Sequence, residues 1–577
     1  MKGLFRRPQA GKRLVCALLT GWLLAVAALL CLAAPGTEAY YVLLPLWQFL
    51  LLAAMLAALV WLLPGENTPH WCSLFAALAA CVAAVRQDNG IAVAVAGCCA
   101  FALLLLWVGV PPASPLAAAR PRVWLWLVVG GMVAAFTVVV GSVCVLKHRA
   151  YLTPGYDFGI FAQMYEYMRT TGLPLSTCER DGLLSHFAVH FSPIFYVLLP
   201  FYALLPRPET LLVLQSLVTA LGTVPLVHIA LRRGLSRRVA GLFAAVYLLY
   251  PCFLGGSLWY LHENNFLAPL LLCLLWAVEC RRPLPAVLLA LAVCAVKEDA
   301  PVYVAAVALY CLLTKEHRRL GAGLLLLSLA WFAAAIGLLA AFGDGVMTDR
   351  YANYRNAGEG LLAAVRAAVQ DPLYVLAECF DRSKWQYILQ TLLPLGLLPL
   401  LTRRPARWVL WMPYVLVNLM TDYGYQHHVG YQYGFGSGAL LLYLAVLNYA
   451  DLPAQRRRPL PLLAAGCALI VCTAAFGRQM AVYSDYHAPA NVAERQQMDA
   501  ALEKIPEDAS VTASCFLVSH LSRCRELYEQ GYTQRQTAYV ALDLRFPEGR
   551  TALEALSDTE YETVVQQDGV IAILRRR

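Results

Sequence analysis

The chain of 577 residues is 60% hydrophobic and only 14% charged, with a mean hydropathy of +0.59. Apolar runs of 18 residues or more recur from residue 14 to residue 477, which excludes a soluble globular fold and reads as an all-α polytopic integral membrane protein. The net charge of +9 is no argument for nucleic acid, because the Lys and Arg residues sit in short loops between the runs, where they report topology.

The opening MKGLFRRPQAGKR runs into its first apolar segment without a small-residue cleavage pattern, so it reads as a retained first helix. Residues 14–34, 40–63, 71–85 and 90–110 form four spans, an N-terminal accessory module over 1–111. The stretch PPASPLAAARPR makes 112–122 a cytoplasmic linker, and a core is expected over 123–477. Its first span, 123–146, leads into a polar, aromatic loop over 147–193. With the N-terminal Arg and Lys cluster in the cytoplasm, Arg120 and Arg122 also fall inside and this loop falls outside. Asp157 follows the Pro154-Gly155 turn. It is expected as the N-cap of a short interfacial helix, FGIFAQMYEYMR, with Phe158, Phe161, Tyr165 and Met168 on one face.

The segment 194–206, bracketed by Pro193, Pro200 and Pro206, reads as one that does not cross. Residues 209–231 then run inward and leave Arg232, Arg233, Arg237 and Arg238 in the cytoplasm. Spans at 239–254 and 264–280 follow. Two half-length apolar pieces, 284–296 and 300–313, hinge at Lys297, Glu298, Asp299 and Pro301 and predict a broken hairpin with a charged tip. Segments 320–342, 385–401, 408–420, 434–449 and 460–477 bring the total to about 13 crossings or broken elements. Residues 343–384 and 421–433 are outer connections. Residues 478–577 have soluble composition and alternate helical and strand-like stretches, predicting a small extracytoplasmic α/β domain.

On this topology the ionisable residues of the outer segments converge. The candidates are Asp157, Arg180, His186, His190, His262, Glu263, Lys297, Glu298, Asp299, His427 and His428. Charges at membrane depth are costly, so Lys297, Glu298 and Asp299 read as functional, with mutual ion pairing as the structural alternative. His186 and His190 have the i, i+4 spacing open to a divalent metal, but hydrogen-bonding roles account for them as well and no metal site is assigned. No Cys pair among the 18 has zinc or redox spacing; a Cys515–Cys524 disulfide is the one bridge open.

The succession YDFGIF, HFAVHFSPIFYVLLPFYALLP, LLVLQSLVTALGTVPL, CAVKEDAP, ASVTASCFLVSHLSRCRELY and YVALDLR resembles a bacterial family of polytopic membrane proteins, a domain of unknown function, over roughly 123–577. That family is similar to the GT-C glycosyltransferases. The resemblance implies a GT-C-like core that takes a sugar from a polyprenyl-phosphate donor on the extracytoplasmic side of the bacterial plasma membrane. The acceptor would be a cell-envelope glycan, lipid or protein. It maps the general base onto Asp157, gives Lys297 the carrier phosphate and lets the first-loop histidines shape the pocket. The chemistry is coherent, since one carboxylate takes the acceptor proton while a cation, Lys297 or Arg180, eases the charge on the leaving phosphate. No cofactor is expected, although a divalent cation is compatible. The competing readings are a polyprenyl-lipid or small-molecule transporter, favoured by the broken helix, and a non-catalytic envelope assembly factor.

Overall fold

The computed structural model describes all residues except 1–6, 34–42, 64–67, 87–89, 110–120, 315–316, 344–348, 359 and 557–559. Most of the expected linker, with Arg120, lies outside the described residues. Four helices come first: α1 (Arg7–Leu32), α2 (Leu46–Leu62), α3 (Thr68–Arg86) and α4 (Gly90–Val108). Small residues let their backbones touch, which is how helices associate when both sides of the contact are as apolar as lipid. A Cβ at Gly21 of α1 would lie 2.4 Å from the Ala53 carbonyl oxygen of α2. The module leans on the core through α3 and α4: Cys81 of α3 and Cys98 and Phe101 of α4 pack with Cys467 and Ile470 of a later helix.

The core opens with α5 (Arg122–Arg149). After α6 (Ile160–Thr171) and the short α7 (Leu199–Leu204), α8 (Pro208–Leu221) and α9 (Thr223–Arg232) together make one span of 25 residues. The non-crossing reading of 194–206 matches this layout, because α7 has only 6 residues. Next, α10 (Arg237–Leu248) and α11 (Pro251–Trp259) are bent against each other by 41° at Pro251, where the ring forbids a straight continuation. Then come α12 (Leu267–Glu279) and the two half-length helices α13 (Pro283–Cys294) and α14 (Pro301–Leu313) of the expected broken hairpin. The sequence continues through α15 (Arg318–Phe342), α16 (Gly360–Gln370), α17 (Pro372–Cys379) and α18 (Arg382–Leu392).

At the centre stands α19 (Phe435–Asp451), apolar all round and buried on every face. Its glycines admit the neighbours: a Cβ at Gly436 would meet the Tyr303 ring at 2.3 Å. The helix α20 (Leu460–Phe476) and the short α21 (Val482–His487) lead out of the core. Among the described residues seven helices are long and apolar enough to span a membrane, eight with the bent pair. Shorter apolar helices (α2, α13, α14 and Trp71–Arg86 of α3) account for further expected spans. The segments 385–401 and 408–420 are corrected, since neither is one continuous helix. Pro394, Pro399, Pro405 and Pro413 chop them into 3₁₀ and π turns, with Gly396 and Leu397 both at positive φ.

Past α22 (Pro489–Leu502) lies the expected α/β unit. A two-stranded ribbon, β1 (Leu175–Ser176) with β2 (Leu184–Ser185), belongs to the loop after α5. The five strands β3 (Ser510–Ala513), β4 (Glu526–Glu529), β5 (Tyr539–Asp543), β6 (Tyr561–Gln567) and β7 (Ile571–Arg576) form one mixed sheet in the order β4-β3-β5-β7-β6. β3 is parallel to β4 and β5, while β5, β7 and β6 are antiparallel, and α23 (Pro547–Leu556) covers β5. Residues Cys515–Leu521, between β3 and β4, are a 3₁₀ turn. Cys515 and Cys524 are both free thiols.

Candidate active site

Asp157 does not cap a helix. It stands in a tight turn over Gly155–Gly159 with φ 69° and ψ −78°, and α6 begins only at Ile160 with Gly159 at its N-cap. That backbone conformation is one a non-glycine residue occupies only when its surroundings impose it. The imposing surface is the C-terminal domain. A Cβ at Gly155 would come within 2.6 Å of Val518 Cβ and 2.7 Å of the Cys515 carbonyl oxygen, and one at Gly159 within 2.7 Å of Val518 Cγ1. Only glycines let the turn press this closely against the 3₁₀ turn Cys515–Leu521. Upstream, Tyr151 is 1% exposed inside the core of that domain, where its hydroxyl donates to Asp499 Oδ1 at 2.6 Å and its ring stacks on His520 at 4.0 Å.

The helix α6 is likewise no surface helix. Both its sides are covered, with Phe161, Met164 and Tyr165 in the core. Gln163 is fully buried and donates to Thr177 Oγ1 at 2.9 Å, and Tyr167 donates to the Arg525 carbonyl at 2.6 Å. The amphipathic pattern looked interfacial because the domain that covers the polar side lies more than 300 residues away in sequence.

The Asp157 carboxylate is 36% exposed, and its Oδ2 lies 3.8 Å from Nε2 of the nearly buried His262. The row continues inward: His262 Nδ1 is 4.0 Å from Glu263 Oε2, and Glu263 Oε1 receives a 2.7 Å hydrogen bond from Lys297 Nζ. Glu263 and Lys297 are 1% and 3% exposed. Two buried opposite charges in direct contact stabilise one another, and loss of either would strand the other in a poorly solvating place. Glu298, next to Lys297, accepts from His190 Nδ1 at 2.9 Å and from the Phe191 amide at 3.2 Å. The charged hinge is therefore paired across elements rather than within itself.

His186 and His190 are both hydrogen-bonded. Residues 186–188 are a single 3₁₀ turn, and the two imidazoles turn to different carboxylates, His186 to Glu179 at 2.9 Å and His190 to Glu298. Burial alone would lower the His186 pKa, but the adjacent Glu179 carboxylate overrides it and holds the imidazole above its ordinary value. Among the described residues no three His, Cys, Asp or Glu side chains are grouped to hold a metal ion. His427 and His428 lie in another neighbourhood. His427 Nε2 is 3.2 Å from Ser383 Oγ, and His428 packs on Tyr431. An aromatic chain joins that neighbourhood to Asp157, from Tyr431 to Trp259 at 4.8 Å and on to Tyr260 at 4.4 Å. Arg180 is exposed beside Glu179, donating to that residue's carbonyl at 2.8 Å, and stands near Tyr156.

Two residues escaped the sequence reading. Glu529, at the end of β4, is nearly buried behind the Asp157 turn, bonded to the Cys515 thiol and the Tyr156 amide. Burial raises its pKa, and the Asp157 charge pushes the same way. Arg350 lies within electrostatic reach of Asp299 and Glu298, its guanidinium 5.3 Å from the Tyr433 ring and 5.6 Å from that of Tyr423. Nothing local in GDGVMTDRYANYR marks it; only the long-range fold brings it to the hinge.

The model of one protein family, described as a predicted membrane protein (DUF2079), matches residues 147–572. The chain belongs to the DUF2079 family. This DUF2079 match spans the site loop, most of the core and nearly all of the C-terminal domain, and it leaves out α1–α4. A search of the curated proteins found no match. Among solved structures, the chain is similar to the crystal structure of ArnT from Cupriavidus metallidurans bound to undecaprenyl phosphate. Identity there is 15%, covering 77% of this chain and 98% of that one, with a TM-score of 0.48. The apo crystal structure of the same protein gives 12% identity, 76% and 98% coverage and a TM-score of 0.43.

Proposed function

We propose that this membrane protein is a glycosyltransferase of the GT-C type. It would move a sugar from a polyprenyl-phosphate donor to a cell-envelope acceptor on the extracytoplasmic face. The observation that carries this reading is Asp157, a partly exposed carboxylate on a strained turn, backed by His262 and a buried Glu263–Lys297 pair. In the transfer Asp157 accepts the proton of the acceptor hydroxyl as that oxygen bonds to the anomeric carbon. The bond from the anomeric carbon to the phosphate oxygen breaks, and its electron pair stays on the phosphate. Cations nearby ease that charge. Lys297 is bonded to Glu263, so the direct phosphate contacts are assigned in this reading to Arg180, beside Tyr156, and Arg350, beside Asp299 and Glu298. His262 steadies the Asp157 carboxylate. The similarity of the family that these motifs resemble to GT-C enzymes supports the same role for Asp157. A monophosphate leaving group requires no divalent cation.

The test is sugar transfer by the purified protein from a panel of labelled polyprenyl-phosphate sugars. Asp157→Asn keeps the shape and removes the base, so transfer or slow donor hydrolysis should fall by about a hundredfold or more. A second reading, lipid transport, rests on the broken hairpin α13–α14. It takes precedence if both proteins bind the donor equally and neither turns it over.

A further inference from the structure

A second polar site lies at the other end of the bundle. The helices α12, α14 and α19 all start at the candidate active site, near Glu263, Lys297 and Gln432, and all end around a recess of about 700 Å³. The 13 residues of α12 and the 13 of α14 each rise about 20 Å between the two sites, so the recess lies toward the opposite leaflet.

Its wall holds Arg232, Arg233, Arg281, Arg404 and Arg407, with His317 beside them. Two carboxylates answer the five guanidiniums. Glu279 pairs with Arg233 and accepts from the Tyr443 hydroxyl at 2.7 Å; Asp451, behind the wall, pairs with Arg407 at 2.8 Å and Arg404 at 3.1 Å. Among the described residues an excess of three positive charges remains. Arg407 is 2% exposed and is fixed by Asn448 Oδ1 at 2.9 Å, and Arg232 is fixed by the Glu279 carbonyl at 2.7 Å. The Arg281 and His317 side chains hold no hydrogen bond or ion pair among the described residues. Topology rules account for arginines in loops at this end of the helices. They do not account for guanidiniums from α9, from the turns after α12 and before Trp408, and from one deep recess, converging on a shared space.

We propose that this recess binds the phosphate of an anionic lipid headgroup in the leaflet opposite Asp157. Planar guanidiniums match phosphate oxygens in pairs, and the space suits a headgroup. Arg281 and Arg404, both exposed, supply the direct contacts, and the buried Arg407 sets the floor.

The experiment is native mass spectrometry and titration of the full-length detergent-solubilised protein. Probes are phosphatidylglycerol, phosphatidylcholine, short-chain dihexanoyl phosphatidylglycerol and inorganic phosphate. Arg281→Gln with Arg404→Gln should weaken phosphatidylglycerol binding about tenfold or more with an unchanged melting temperature. The control, Arg318→Gln with Arg319→Gln, removes the same charge from exposed positions at the same end of the bundle but outside the recess and should leave binding intact. Equal losses in both pairs would overturn the site in favour of general surface charge, and equal affinity for phosphatidylcholine would overturn the assignment of an anionic headgroup. Inorganic phosphate binding as tightly as the short-chain lipid would overturn the lipid assignment in favour of a soluble phosphate.

Discussion

The core carries an appendage at each end of the chain, and the two are joined to it by different physics. The N-terminal module meets α20 through small and apolar residues. A Cβ at Gly466 would strike the Phe101 ring at 2.2 Å, one at Gly97 would lie 3.5 Å from Ile470 Cγ2, and Cys98 faces the Cys467 carbonyl. The C-terminal domain instead takes a piece of the core loop into its own interior. Tyr151 is buried there, Arg545 donates to the Tyr151 carbonyl at 3.0 Å, and Gly155 and Gly159 press on Val518. One attachment is a packing surface beside the site; the other shapes the turn that displays Asp157. The family match agrees with this division, including the C-terminal domain and omitting the module.

The largest expected effect is therefore at Tyr151. Tyr151→Ala empties an aromatic site, breaks the bond to Asp499 and unstacks His520, a cost of about 3 kcal/mol or more. Limited proteolysis should then release the C-terminal domain at a rate far above wild type. Tyr151→Phe, which removes only the hydroxyl, should lose about 1 kcal/mol and remain attached. Release of the domain by neither variant would mean that the remaining contacts, Gly155 and Gly159 on Val518 and Tyr167 on Arg525, suffice to hold it and that the plugged tyrosine is incidental.

A matched pair of glycines sharpens the contrast. Gly155→Ala and Gly466→Ala each force a methyl group into a filled space and should each cost about 1–3 kcal/mol. Gly155→Ala meets a carbonyl oxygen, which cannot step aside, so hydrogen exchange should speed up through residues 155–171. Gly466→Ala meets the edge of an aromatic ring, and exchange should change in α3, α4 and α20 while the site loop stays protected. Equal disturbance of the site loop by both would erase the distinction between the two appendages.

The same comparison separates what the chain discloses locally from what it does not. The long apolar runs of α5, α15 and α20, the short prolyl segment 194–206 and the two half-helices around Lys297 are written in composition and period, and the fold follows them. The prolines of 385–420 also spoke against regular spans, but mean apolarity outweighed them in the reading. At the site, Asp157, His262, Glu263 and Lys297 come together as one row, so the convergence of outer polar residues was legible. Partner choice was not. Nothing near Lys297 says that it will pair with Glu263 rather than Glu298, and the i, i+4 spacing of His186 and His190 implied a helix that residues 186–188 do not form. Glu529 and Arg350 reach the site from 372 and 193 residues beyond Asp157, distances over which periodicity carries no information.

The smallest expected effect concerns the side of the loop that faces away from the C-terminal domain. His186 is 1% exposed and bonded to Glu179, whose charge lifts the imidazole pKa above its ordinary 6.5 against the pull of burial. A group whose pKa is raised on folding adds stability that is fully present below its unfolded pKa and is lost as the pH climbs through the native value. Thermal stability of the wild-type protein should therefore decline from about pH 6.5 upward, the ordinary histidine pKa marking the start of the window. His186→Gln, which keeps a donor for Glu179 and cannot titrate, should flatten that part of the curve. If the decline persists unchanged in His186→Gln, the Glu179–His186 contact is not its source, and this side of the loop contributes packing without a pH-sensitive charge pair.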